Sequence, residues 1–173
     1  MLNLKSVIGA SLFAVSAMAA SSAFAYGPAN GSYVAGPGAT TLSYLGNNVP
    51  CTSTFTIYTN GVSGDAASVI GASFASGTGG SALCPHITAT ASPTSPWTLT
   101  PATLVSTGVY TATIIGVSVY VPAPINATCT GSVTVTLNQT ASPSVASFSG
   151  TLHNGAIPCG VSGTGLLTAI TAP

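Results

Sequence analysis

Residues 129–138, CTGSVTVTLN, alternate apolar or small positions with polar ones almost without a break. Cys129, Gly131, Val133, Val135 and Leu137 fall on one side. Thr130, Ser132, Thr134, Thr136 and Asn138 fall on the other. A period of two predicts a strand with one buried face. Residues 51–61, CTSTFTIYTNG, alternate in the same way and put Tyr58 on the threonine side. Further strands are predicted at 32–36, 40–46, 97–100, 109–121 and 165–171. The stretch 109–121 carries enough Val, Ile and Tyr for a central strand. Turn signals separate these runs: Gly-Pro-Gly at 36–38, Asn47-Asn48, Asn60-Gly61, Gly79-Gly80 and Asn154-Gly155. The expectation is an all-β fold, an antiparallel β-sandwich or flattened barrel of about ten short strands.

A unit recurs. Residues 51–61, 67–77 and 82–88 match 129–139, 144–155 and 156–164 in order: a Cys-Thr opening, an alternating strand, an Ala-Ser-Phe strand and a closing cysteine. The units span 51–88 and 129–164. Four cysteines allow three pairings. The repeat favours Cys51–Cys84 with Cys129–Cys159, one bridge closing each unit. The crossed pairings, 51–159 with 84–129 or 51–129 with 84–159, stay open.

The first residues change the picture. Lys5 precedes an apolar run from Val7 to about Ala20, and Ala23-Phe24-Ala25 supplies a small-x-small cleavage pattern. Residues 1–25 therefore read as a secretory signal peptide, which leaves a single β-rich secreted domain at 26–173. No later stretch has the ~20 apolar residues that a membrane-spanning helix needs. An even cysteine count in an exported chain reads as disulfides, and no C-x-x-C pair suggests a metal site.

Charge is nearly absent. The whole chain has one Lys or Arg, Lys5, and one acidic side chain, Asp65. Phosphate neutralisation needs Lys or Arg, so nucleic acid is excluded as a partner, and so is electrostatic docking to anionic lipid. A single carboxylate rules out an acid–base carboxylate pair. Gly160-Val161-Ser162 approaches a nucleophile elbow, but Thr164 stands where glycine is required. His86 and His153 read as loop histidines. No catalytic residue, cofactor site or metal site is expected, and the chain reads as a non-enzyme. Trp97, in SPWTLTP, reads first as a core anchor, with contact to an apolar ligand or surface as its functional alternative. Tyr58 is the other candidate for such a contact.

Several elements occur together in a telling order. They are Asn48 with Cys51, Thr52 and Phe55; Ala72-Ser73-Phe74 with Gly77; Leu83-Cys84; Pro96-Trp97-Thr98-Leu99; and then Cys129 and Cys159. With the Ala-rich leader and the uncharged body, this order resembles the secreted alkane oxidation protein activator family (Pra-type proteins). The resemblance implies an extracellular protein that promotes growth on alkanes by helping to disperse or contact the hydrocarbon. It implies no catalytic residues.

Two expectations follow. A surface of hydroxyls and small apolar groups costs little to desolvate, so the protein suits contact with hydrophobic substrate or with a cell surface. The alternative is self-association: a subunit of an extracellular fibre, adhesin or biofilm matrix. There, residues 26–50 act as a candidate donor strand for a neighbour's sheet.

Overall fold

The computed structural model describes residues 31–59, 67–141 and 144–170. The expected signal peptide, Asn60-Gly61 and Asp65 lie outside the described residues. Among the described residues ten strands form: β1 Gly31–Tyr44, β2 Asn47–Thr59, β3 Ala67–Ala75, β4 Thr88–Ala89, β5 Trp97–Leu99, β6 Thr103–Ser106, β7 Val109–Val121, β8 Ala127–Asn138, β9 Val145–Asn154 and β10 Ile157–Ile170. A short 3-10 turn, Cys84–His86, precedes β4.

Hydrogen bonding runs β7-β5-β3-β2-β1-β10-β9-β8, and β8 pairs back onto β7. Eight antiparallel strands thus close a barrel, with β4 and β6 as short additions along one edge of β7. Of the two expected shapes, the barrel is the one that forms. Inward positions of β8 are Ala127, Cys129, Val133, Val135 and Leu137, and burial alternates along the strand. The same period sends Val49, Cys51, Ser53 and Ile57 of β2 inward, with Thr52, Thr54, Thr56 and Tyr58 outward. Outward hydroxyls fall into rows across strands. Thr113, Thr134, Ser149, Ser162 and Thr41 pair in succession over β7, β8, β9, β10 and β1. Directly opposed Thr and Ser side chains of this kind stabilise a sheet by roughly 0.2–1 kcal/mol per pair.

Both disulfides follow the repeat: Cys51–Cys84 and Cys129–Cys159. The first ties the 3-10 turn to β2, and the second joins β8 to β10 beside the β9–β10 hairpin. The two units differ at their closing cysteines. Pro85 follows Cys84 and opens a 3-10 turn, where its missing N–H costs nothing, whereas Cys159 lies within β10.

Two expected breaks are absent. Segments 32–36 and 40–46 belong to one strand, β1, and Gly36-Pro37-Gly38 is a bulge in it rather than a turn. Pro cannot donate to the ladder, so the strand absorbs it as an extra residue. A Cβ on Gly38 would lie 1.7 Å from the Thr164 carbonyl oxygen of β10, so only glycine fits. Likewise 165–171 does not start a new strand: it continues β10, which ends at Ile170. The β1–β2 turn also falls earlier than Asn47-Asn48, at Leu45-Gly46. β1 pairs with β2 on one side and β10 on the other, which leaves neither edge for a neighbour's sheet.

Candidate functional site

Closure gathers the inward side chains into one apolar interior. Phe55 of β2 stands edge-on to Phe74 of β3 at 6.4 Å and to Phe148 of β9 at 5.3 Å. Such T-shaped pairs place the positive ring edge on the negative ring face and are worth about 0.5–1.5 kcal/mol beyond burial. Phe74 and Phe148 are the phenylalanines of the two Ala-Ser-Phe motifs, so the sequence repeat converges on Phe55. Phe148 has room because Gly163 lies opposite it: a Cβ there would meet the ring at 2.4 Å and the Ala39 carbonyl oxygen at 2.6 Å.

Small inward residues, Ala35 and Ala146 among them, leave a cavity of about 60 Å³ bordered by Phe55, Phe74, Trp97, Val117 and Val135. Thr40 also borders it, but its Oγ1 is turned to Ser53 Oγ in a hydrogen bond, and the surface facing the cavity is wholly apolar. No ionisable side chain lines the space. Towards the barrel end that holds the start of β1, burial raises the Tyr33 hydroxyl above its ordinary pKa of 10.0, because the phenolate would lose its hydration.

A second apolar feature sits at the opposite end, on the β1–β2 hairpin. Its two central residues both have positive φ, 48° at Leu45 and 79° at Gly46, as a type I′ turn requires. Glycine accepts this freely; leucine does not, since its Cβ crowds the backbone. Leu45 is also 67% exposed. It borders a shallow groove of about 330 Å³ with Tyr44, Ile157 and Pro158, over Gly160. A bulky apolar side chain held outward in a costly conformation marks a surface to test for function. Periodicity along the chain does not single it out. The available signal was a leucine before glycine in a hairpin turn, where Asn or Asp is the usual choice.

The residues singled out in the sequence separate. Trp97 is 3% exposed, lines the cavity and donates its indole N–H to Thr90 Oγ1 at 3.1 Å. Tyr58 points outward and is 44% exposed. His86 and His153 are both exposed, on the 3-10 turn and on β9. Among the described residues there is no group of three His, Cys, Asp or Glu that could hold a metal ion. No helix among them is long and apolar enough to cross a membrane.

The arrangement therefore offers hydroxyl rows outside, exposed apolar side chains and an apolar, hydrocarbon-like interior. A family model described as alkane oxidation protein activator, PraA/PraB-like, matches residues 1–170. No curated protein and no solved structure matches the chain.

Proposed function

The chain belongs to the PraA/PraB-like alkane oxidation protein activator family, and from that membership we propose that it is an exported, non-enzymatic interfacial protein that promotes contact with hydrophobic substrate and its dispersal. Residues 1–25 serve as the export signal, and two disulfides stabilise the body outside the cell. One observation supports this reading most directly: the described residues carry no Asp, Glu, Lys or Arg at all. Moving a charge toward hydrocarbon is far costlier than moving a hydroxyl, which itself costs about 0.5–3 kcal/mol when partly compensated. Outer threonines keep their cross-strand hydroxyl neighbours at an oil surface, so the exterior loses little there. Leu45, Leu104, Val105, Ile115 and Tyr58, all exposed, supply apolar contacts on it. Trp97 serves from the inside, through the cavity it lines.

The test is hexadecane emulsification by the purified protein. A variant with Thr54→Lys, Thr134→Lys and Ser162→Lys on the outer face serves as the charged control. The expected result is a droplet suspension markedly more stable with the parent chain than with the lysine variant. Equal, poor stabilisation by both would reject the interfacial role.

A further inference from the structure

The barrel wall is not uniformly hydrogen-bonded. β3 pairs with β2 as far as Ala75, but on its other edge β5 covers only Ala67 to Val69. Alongside the remainder of β3 lies β4, which pairs with β7 alone. Among the described residues, β3 beyond Val69 thus meets β4 without strand pairing. This seam is bordered by Phe74, partly exposed on the unpaired stretch, and Trp97, whose indole is tied to Thr90. Cys51–Cys84 and the Ser81 N–H to Pro50 C=O bond of 2.7 Å anchor the chain that leads from β3 to β4. The seam is therefore an anchored junction whose opening would break no strand pairing, and local openings favour such weakly bonded places.

Behind it lies the 60 Å³ cavity. Its chemistry restricts the guest. Its lining surface is wholly apolar, so any donor or acceptor on a guest would be left unpaired. Water is disfavoured for the same reason, and apolar cavities of this kind stay dry. Its size restricts the guest further. A cavity of ~150 Å³ admits benzene, and a water's share of liquid volume is ~30 Å³, so this one suits a slim chain end and not a ring.

We propose that the barrel interior binds the terminal carbons of an aliphatic chain, admitted through the seam between β3 and β4 past Phe74. The proposal rests on the interfacial reading and names a second place, inside the wall, where hydrocarbon is held.

The experiment is methyl NMR of the purified protein titrated with n-pentane, with benzene and 1-pentanol as the size and polarity controls. Saturable shifts at Val117, Val135 and Ala146 with n-pentane are expected, with binding of both controls at least about tenfold weaker, a difference of 1.4 kcal/mol. Val135→Ile, which adds one methylene to the space, weakens n-pentane by a similar factor, and Ala146→Leu abolishes it. Val135→Ile decides the case if Ala146→Leu does not fold. Phe74→Trp slows association and dissociation together; rates unchanged by it would overturn the route. Shifts confined to outer methyls such as Leu104 and Val105, or benzene bound as well as n-pentane, overturn the site. Emulsification by the same sample separates the two readings. A chain that stabilises droplets while its interior methyls stay silent keeps the interfacial role and loses the cavity. One that takes n-pentane and leaves droplets unstable does the reverse.

Discussion

Replacing Leu45 with Asn should make the protein more stable and less adhesive at once. An L-residue with a branched side chain in the left-handed region costs roughly 1–2 kcal/mol, which Asn largely avoids. At φ 48°, Leu45 bears that cost in the parent, and it recovers little by packing because 67% of it is exposed. Leu45→Asn is therefore expected to raise the unfolding free energy by about 1 kcal/mol. Its effect at oil has the opposite sign. Full burial of a leucine is worth about 1.5–3 kcal/mol, so burying the exposed two-thirds at an interface contributes about 1–2 kcal/mol. Loss of that contribution lowers the adsorption constant roughly 5- to 30-fold. Urea unfolding is followed through Trp97, the only tryptophan, which is buried and reports opening of the barrel. Adsorption is followed by pendant-drop tension against hexadecane. A variant less stable than the parent would show that the turn does not penalise leucine. A more stable variant that adsorbs as tightly would remove the hairpin tip from the contact surface.

Four further outcomes are expected. Removing either bridge, by Cys51→Ala with Cys84→Ala or by Cys129→Ala with Cys159→Ala, costs about 4 kcal/mol in the chain-entropy account. The loops do not interleave, so urea titrations should show the two losses adding, and a quadruple variant nearly as stable as either pair refutes the account. Gly163→Ala forces Phe148 and the Ala39 carbonyl apart and lowers the melting temperature by several degrees, equivalent to about 1–3 kcal/mol; adding Phe148→Leu restores only part, because the carbonyl remains. Thr59→Val stabilises by about 1 kcal/mol in the same titrations, since Thr59 Oγ1 is buried with no hydrogen-bond partner among the described residues. Finally, Tyr33 makes stability fall on the alkaline side only: the unfolded phenol ionises near 10 and the folded one higher, so stability is complete below 10 and is lost as pH rises towards the folded pKa. Denaturation at pH 9 and 11 should show the loss, and Tyr33→Phe should reduce it.

Much of this fold is legible from period two alone. Val133, Val135 and Leu137 turn inward as their spacing dictates, and 109–121 forms β7 within its expected bounds, with one bulge at Gly116. The repeat was enough to pair the cysteines correctly, because each Cys-Thr strand must return past its own Ala-Ser-Phe strand. Local punctuation misled at Gly36-Pro37-Gly38. A proline-glycine cluster reads the same in a turn and in a bulge, and only the neighbours on both sides decide between them. Period two leaves sandwich and flattened barrel both open, because the choice depends on β7 meeting β8 while also bordering β4, β5 and β6. The site was the least legible part. Leu45 is conspicuous only once its φ is known, and the cavity exists only where Ala35 and Ala146 from distant strands face the same space.

Closure also accounts for the missing charge. Sheet proteins ordinarily guard exposed edges with lysine or inward charges, because an unpaired strand templates association. In this chain the eight principal strands close into a ring, and the one long unpaired edge among the described residues, β3 beyond Val69, is covered by β4. The strands off the ring are brief: Thr88–Ala89 is two residues long, and Thr103–Ser106 is four, with Pro101 just before it. Short strands and proline are themselves edge protection. The fold thus supplies by topology what charge supplies elsewhere, and its outer face is free to carry threonine alone. An open sandwich with the same composition would have exposed unprotected edges along its whole length. Because β8 returns to β7, the lack of Lys and Glu among the described residues leaves no long open ladder along the ring for a neighbour to extend. Weakening that junction, for instance with Thr134→Pro in β8, should turn a dispersed protein into an aggregating one, a change light scattering would register. A variant that loses the junction and stays dispersed would show that something other than closure keeps the uncharged sheet apart.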